Sequence, residues 1–227
     1  MDDLHPSYFF DLSTFRHKAL FEECPQVWGA LKNIEPYLAQ YSLGQIEVDI
    51  PEGVHLVNPE LITIGKGTVL EPYSYIKGPC IIGENCTVRH GAYLRGNVIA
   101  GDHCVLGHDS EFKNTVLFDH AHAAHFAYVG DTILGGRVNL GAGTVCANLK
   151  LSGLPVAVLY KGQRVETGLR KFGAIIGDDS QTGCNSVTNP GTLLGKNVRC
   201  YPCINFGGFV PSGKIVRSET KLMFAEI

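Results

Sequence analysis

The chain has 227 residues, 27 glycines and a formal charge of −3. That length can bury a sizeable core, and so small a net charge excludes nucleic acid as the main partner on electrostatic grounds. The opening Met1-Asp2-Asp3 is acidic where a signal peptide is basic, and no apolar run reaches the roughly 18 residues of a membrane span. No membrane contact and a cytoplasmic location are therefore expected.

Residues 1–45 form the first unit. Ser13 to Glu23 and Pro25 to Leu38 read as two short helices, the second with a proline in its first turn. Trp28, Leu31, Tyr37 and Leu38 supply an apolar face. The expected role is a cap over the open end of residues 46–227; a partner-binding role is the alternative.

Residues 46–227 form the second unit, and its signature is a period of six. Stepping by six from Ile64 gives Leu70, Ile76, Ile82, Val88, Leu94, Ala100, Leu106, Phe112, Phe118 and Ala124, all apolar. A second track, from Thr68 through Ser74, Cys80, Cys86, Ala92, Val98, Cys104, Ser110 and Val116, is small or β-branched. A helix repeats near 3.6 and a strand at 2, so neither explains a sustained six. A triangular solenoid does: each six-residue side turns one large residue inward, and glycine-rich corners let the chain turn. Cys80, Cys86 and Cys104 fall on the small inward track and read as packing residues. Cys200 and Cys203 make a lone Cys-x-x-Cys without the second pair a zinc site needs.

The phase slips after Ala124, resumes through Leu134, Leu140 and Cys146, then runs again from Ile176 to Phe206. Between them, near 147–174, the pattern fails. That stretch reads as an inserted loop or arm. Gly191 to Lys196 lacks the length and the following Ser or Thr of a phosphate loop.

Reactive side chains gather at the slip: Lys113, His120, His122, His125, Tyr128, Asn139 and Asn148. The strings His125-Phe126-Ala127-Tyr128-Val129-Gly130-Asp131 and Asn139-Leu140-Gly141-Ala142-Gly143-Thr144, followed by Ala147-Asn148, resemble the GlmU-type enzymes. Those join a nucleotidyltransferase domain to an N-acetyltransferase β-helix. The stretch from Lys161-Gly162-Gln163-Arg164 to Ile176-Gly177-Asp178 is similar to archaeal-type sugar-1-phosphate nucleotidylyltransferase/acetyltransferases.

The resemblance implies an all-β, left-handed parallel β-helix, a homotrimer with sites between subunits, and acetyl transfer from acetyl-CoA to the amine of a hexosamine 1-phosphate. It implies His125 as general base, a role that suits an imidazole near neutral pH. It also implies Arg95, Lys113, Tyr128 and Asn139 as acceptor contacts, and Ala142, Asn148 and Cys184 as positions near acetyl-CoA. A guanidinium and an ammonium suit a substrate phosphate. Lys196 and Arg199 read either as coenzyme-A contacts or as ordinary surface. Two departures stand out. The lysine expected six residues after the asparagine matching Asn148 is Leu154, and nothing N-terminal resembles a nucleotidyltransferase domain.

Three alternatives remain. A β-helix of this kind also serves as a non-catalytic scaffold or regulator of sugar-nucleotide enzymes, and related acyltransferases act on other amines. A γ-class carbonic anhydrase would need three zinc-binding histidines. His103 with His108, and His120 with His125, have part of that spacing, but the third histidine is absent, so no metal is expected.

Overall fold

The computed structural model describes residues 2–219. Three faces of eight parallel strands each wind into a left-handed β-helix. One, the buttressed face, carries Ile62–Ile64, Cys80–Ile82, Val98–Ala100 and Thr115–Leu117. The next, with Val69–Leu70, Thr87–Val88, Val105–His108, His122–His125 and Asn139–Leu140, is the histidine face. The third, with Tyr75–Lys77, Tyr93–Leu94, Glu111–Lys113, Tyr128–Gly130 and Val145–Cys146, is the tyrosine face. The chain visits them in that order, and each strand pairs in register with the one a coil earlier, as Tyr75, Tyr93, Glu111 and Tyr128 do.

The core is a stack of inward side chains. Ile64, Ile76, Ile82, Leu94, Ala100 and Phe112 are wholly buried, and Cys80, Cys86 and Cys104 lie among them. Burial alone pushes the Cys80 thiol up to about 12, so it is an inert packing group. Ile46, Val48, Val54 and Leu56 pack over one end of this stack, and Phe206, Val210 and Val216 over the other.

The six-residue count misplaces the slip. Leu117, not Phe118, takes the inward place above Ala100, and Thr115, not Val116, takes the small inward place. The next coil is also one residue short, with Leu134 above Leu117. The spacing of apolar letters could not locate this, because Val116-Leu117-Phe118 is apolar at all three positions. What decides is the second apolar layer outside the coil. Val116 and Phe118 turn outward with Ile81, Ile99, Ile133, Ile175 and Leu193.

That outer layer is the docking surface for the N-terminal segment. Leu4, Phe9, Phe10, Phe15, Phe21, Val27 and Trp28 bury themselves on it. The segment therefore lies along the flank of the coil rather than over its end. A buttressed face with two apolar surfaces has more to bury than a coil end already closed by its own residues. Its helices also differ from expectation. Ser13 to Glu23 yields only the 3-10 turn Lys18–Phe21, and Pro25 to Leu38 becomes the 3-10 turn Val27–Gly29 followed by the α-helix Ala30–Gln40. A further short helix, Pro6–Phe9, carries no signal in the sequence pattern. Phe15 and Phe21 are both anchored in the sheet, and this packing overrides helical propensity.

The inserted arm is an antiparallel hairpin, Val156–Tyr160 with Gln163–Leu169. It folds back onto the same flank: Val156, Val158 and Tyr160 are buried there, and Asp3 accepts hydrogen bonds from Tyr160 Oη at 3.0 Å and Lys161 Nζ at 2.7 Å.

His17 is buried in this layer at 1% exposure, with Nδ1 2.8 Å from the Tyr37 hydroxyl. Burial, aided by the Arg16 charge, lowers its pKa to about 4 from 6.5. The unfolded chain takes up this proton near 6.5 and the folded chain only near 4, so stability is lost as pH falls through that window. The expected loss is about 3 kcal/mol, visible as a falling urea midpoint. A His17→Phe variant should show a flatter profile; an unchanged slope would rule out His17 as the cause.

Candidate active site

The corner between the histidine and tyrosine faces stacks one residue per coil. His90, His108, His125, Ala142 and Cys184 form a column. The amide that follows each upper residue donates to the carbonyl of the one below: Asp109 to His90, Phe126 to His108, Gly143 to His125, and Asn185 to Ala142, at 2.8–3.3 Å. Three positions named from separate sequence strings, His125, Ala142 and Cys184, are thus neighbours in space. His125 and Cys184 are exposed, and the Cys184 thiol is free.

The residue after each column member must adopt a left-handed backbone. Gly91, Asp109, Gly143 and Asn185 do so at φ 46–73°, and these residue types tolerate it. Phe126 occupies the same place at φ 50°, and it is 55% exposed. A bulky aromatic residue there is strained, and the strain sits directly beside His125.

Arg89 Nη1 lies 3.4 Å from His125 Nε2 and also donates to the Ala124 carbonyl at 3.4 Å. A guanidinium only donates, so Nε2 accepts and the proton of a neutral ring sits on Nδ1. Sequence reading missed Arg89. It lies two coils below His125, and only the winding of the chain relates them. Nearby, burial holds the His122 imidazole below the ordinary histidine range.

A second cluster lies along the tyrosine face and the corner after it. Asp131, 5% exposed, is its centre. It accepts from Lys113 Nζ at 3.2 Å to each oxygen, from Asn114 Nδ2 at 3.0 Å and from Asn148 Nδ2 at 2.6 Å. Asn148 Nδ2 also reaches the Tyr128 hydroxyl at 3.1 Å, and Arg95 donates to Glu111 at 2.6 Å. Burial raises the Tyr128 pKa, so its hydroxyl keeps its proton. Sequence reading did not single out Asp131 as a site residue, although it ends the His-x-x-Tyr-x-Gly-Asp string that carried the resemblance.

An Asp131→Ala variant should lose about 2 kcal/mol of stability, because it strips the partner from a half-buried ammonium and from two amides. Asp131→Asn should lose less. Equal urea midpoints for wild type and Asp131→Ala would show that the cluster contributes nothing to stability.

Other expected residues lie elsewhere. Asn139 is exposed on the histidine face, in register with His122 and Gln181. Lys196 lies 3.7 Å from Asp178, a buried carboxylate that also accepts from the amides of Asp11 and Gly136. Burial raises the Asp178 pKa. Arg199 follows Gln181 on the histidine face and donates to the Asp179 carbonyl. The amides of Asn139 and Gly141 donate to the carbonyls of Ser180 and Thr182 within the ladder. Leu154 is 60% exposed at the root of the hairpin. A cavity of about 640 Å³ opens there, lined by Leu149, Leu151, Ala157 and Asn189 with Lys150 and Arg164. Among the described residues no three His, Cys, Asp or Glu side chains gather around a point fit for a metal ion.

The hexapeptide repeat described as "Bacterial transferase hexapeptide (six repeats)" matches residues 62–96. The bifunctional sugar-1-phosphate nucleotidylyltransferase/acetyltransferase of Sulfurisphaera tokodaii is 41% identical over 92 residues, 40% of this chain and 23% of that protein. The bifunctional protein GlmU of Nostoc sp. is 30% identical over 159 residues, 70% of this chain and 28% of that protein. The chain thus spans about a quarter of the length of these curated relatives. A solved Arabidopsis UDP-N-acetylglucosamine acyltransferase aligns with TM-score 0.46 and 12% identity, over 73% of this chain and 67% of that one. The chain carries the hexapeptide repeat on a three-faced left-handed coil and is similar, over part of its length, to a bifunctional sugar-1-phosphate nucleotidylyltransferase/acetyltransferase and to a bifunctional protein GlmU.

Proposed function

We propose that the chain is an N-acetyltransferase that moves an acetyl group from acetyl-CoA to the amine of a hexosamine 1-phosphate. The observation that carries this reading is the corner column, which sets an exposed imidazole, His125, directly beneath Ala142 and Cys184. Tyr128 follows three residues later, at the start of a face that also carries the Lys113 and Arg95 cations. The names of the relatives include acetyltransferase activity, which supports the same chemistry.

In this reading the acceptor's amine attacks the thioester carbonyl carbon, and a C–N bond forms as the carbonyl electrons move to oxygen. His125 Nε2 takes the ammonium proton, after Arg89 has yielded its hydrogen bond. The tetrahedral centre then collapses, the C–S bond breaks, and the thiolate leaves and regains a proton from His125. Lys113 and Arg95 hold the sugar phosphate and Tyr128 contacts the sugar; Asn148, expected near the acyl donor, shares Asp131 and the Tyr128 hydroxyl with these acceptor groups and is assigned to the sugar side instead. Ala142 and Cys184 border the acyl donor, which is a substrate and not a resident group.

Asn139 and Arg199 lie on the histidine face, apart from the tyrosine-face cluster. A homotrimer with parallel coils, one copy's histidine face against the next copy's tyrosine face, unites the two halves. The buttressed face is already covered and is not used.

The test is thiol release from acetyl-CoA with glucosamine 1-phosphate and with galactosamine 1-phosphate. Turnover with either supports the reading and shows that Leu154 serves where relatives carry lysine. Silence with both overturns this acceptor. The exposed Leu154 would then favour the second reading, a β-helix that kept the fold and serves as a scaffold or regulator.

A further inference from the structure

Six of the eight cysteines are buried, and the other two, Cys184 and Cys203, are exposed free thiols. These two stand at one corner on successive coils. The Cys203 amide donates to the Cys184 carbonyl at 2.8 Å. On either side of the corner Thr182 pairs with Cys200 and Val187 with Asn205, so Cys184 lies level with Pro202 and Cys203 with Asn185. Coils repeat at about 4.8 Å and successive Cα atoms are about 3.8 Å apart, which sets the two cysteine Cα atoms about 6 Å apart. A disulfide spans Cα separations of about 4.4–6.8 Å.

The backbone also directs the Cys203 side chain. Cys203 fills the left-handed place of this corner, at φ 58°, above Asn185 and Gly143. Side chains in that place lean back over the coil beneath: the Asp109 and Asn185 side-chain oxygens stand where a Cβ on Gly91 or Gly143 would be. Cys203 inherits the same direction, toward the turn that Cys184 and Asn185 form. Its Cys-x-x-Cys neighbour, Cys200, faces the core, where burial pushes the thiol up to about 12. Pairing across the coils with Cys184, and not along the chain with Cys200, is therefore the contact open to Cys203. We infer that Cys184 and Cys203 are a redox pair, which a peroxide converts to a disulfide that closes the corner above His125 and Ala142.

The chemistry needs only the two thiols and one molecule of hydrogen peroxide. One thiolate attacks a peroxide oxygen, the O–O bond breaks, and hydroxide leaves from a new sulfenic acid. The second thiolate attacks that sulfur, the S–O bond breaks, and a second hydroxide leaves as the disulfide forms. The two thiol protons convert the hydroxides to water, so two electrons pass from sulfur to oxygen. In the proposed function Cys184 borders the acyl donor, so an assembly that admits acetyl-CoA also admits the smaller peroxide. On that reading the bridge lies across the donor's path, and oxidation should shut off acetyl transfer; the disulfide itself does not depend on it.

The experiment oxidises reduced wild-type protein and a Cys203→Asn variant with hydrogen peroxide, then blocks the remaining thiols with iodoacetamide and digests both. Asparagine suits the left-handed backbone, so the variant should keep the wild-type urea midpoint and, before oxidation, the wild-type rate of thiol release. Wild type should lose two hydrogen atoms in intact mass and yield a peptide joining Cys184 to Cys203, and dithiothreitol should reverse both. The variant should yield no linked peptide and should carry Cys184 as sulfinic acid or in its alkylated form. Wild-type protein in which Cys184 is oxidised singly, or joined to a second chain, overturns the pair. In a second arm, oxidised wild type should lose most of its thiol release from acetyl-CoA and regain it with dithiothreitol. A linked peptide with unchanged release overturns the blockade while leaving the acetyltransferase reading intact. A linked peptide in a protein that never transfers acetyl sustains the pair and overturns that reading instead.

Discussion

A His125→Ala variant is expected to lose about 100- to 10,000-fold in turnover of the amino sugar while its urea midpoint stays at the wild-type value. The two halves of that expectation have different origins. His125 is exposed and makes one side-chain hydrogen bond, to Arg89, so its removal empties no core and strands no buried partner. Its Nε2 is nonetheless an acceptor at the corner that leads into the strand of Tyr128, and no other exposed imidazole of the column is next to the Ala142 and Cys184 coils. Steady-state thiol release, run beside denaturant unfolding, checks both. Near-wild-type rates in the variant would remove His125 from the mechanism. An Arg89→Ala variant separates positioning from chemistry. If Arg89 only aims the ring, kcat should fall several-fold and Arg89→Lys should restore part of it.

The largest stability effect is expected at Phe118. Its ring stacks on Phe15 at 3.8 Å and Phe10 at 4.7 Å and meets Phe21 at 5.4 Å, all outside the coil. Phe118→Ala should cost about 3–5 kcal/mol, the range for deleting a buried aromatic ring. Because the ring faces outward, residues 2–43 should gain amide exchange first, while the strands Ile62–Ile64 and Cys80–Ile82 remain protected. Had the six-residue count held through this coil, Phe118 would face the solenoid axis, and the variant would expose the inner strands together with the segment. Hydrogen exchange resolved by peptide therefore tests the register as well as the energy.

Phe118 also marks what the sequence could and could not convey. Where one track is apolar and its neighbours are polar or glycine, as at Ile82-Gly83 or Leu106-Gly107, the inward side is unambiguous, and the coil was legible in full. Where three apolar residues run together, the choice depends on what covers the outer surface, and that information lies a hundred residues away in sequence. The N-terminal segment was misplaced for the same reason. Its apolar letters show that it must dock, while the outward row Ile81, Ile99, Ile133 and Ile175 that receives it emerges only once the coil is wound. In the candidate site, His125 and Tyr128 were legible because a contiguous string carries them. Arg89 and the hub role of Asp131 were not. Each acts on residues one or two coils away, at separations set by the winding and not by any local pattern.

The flank layer changes how the molecule should come apart. A solenoid whose repeats touch only their neighbours can fray from either end, one coil at a time, with stability summed over short-range couplings. Here Tyr8 packs on Phe209 and accepts a hydrogen bond from the Ser212 amide, while the same segment covers Ile81 near the other end. The hairpin adds a second tie, from Tyr160 to both Asp3 and Phe209. The second coil, at Ile81, and the last, at Phe209, are thus splinted to one continuous layer, so opening at either place breaks contacts that span the rod. Unfolding should therefore be a single all-or-none transition, and the layer converts a one-dimensional stack into a body whose weakest coil is protected by all the others.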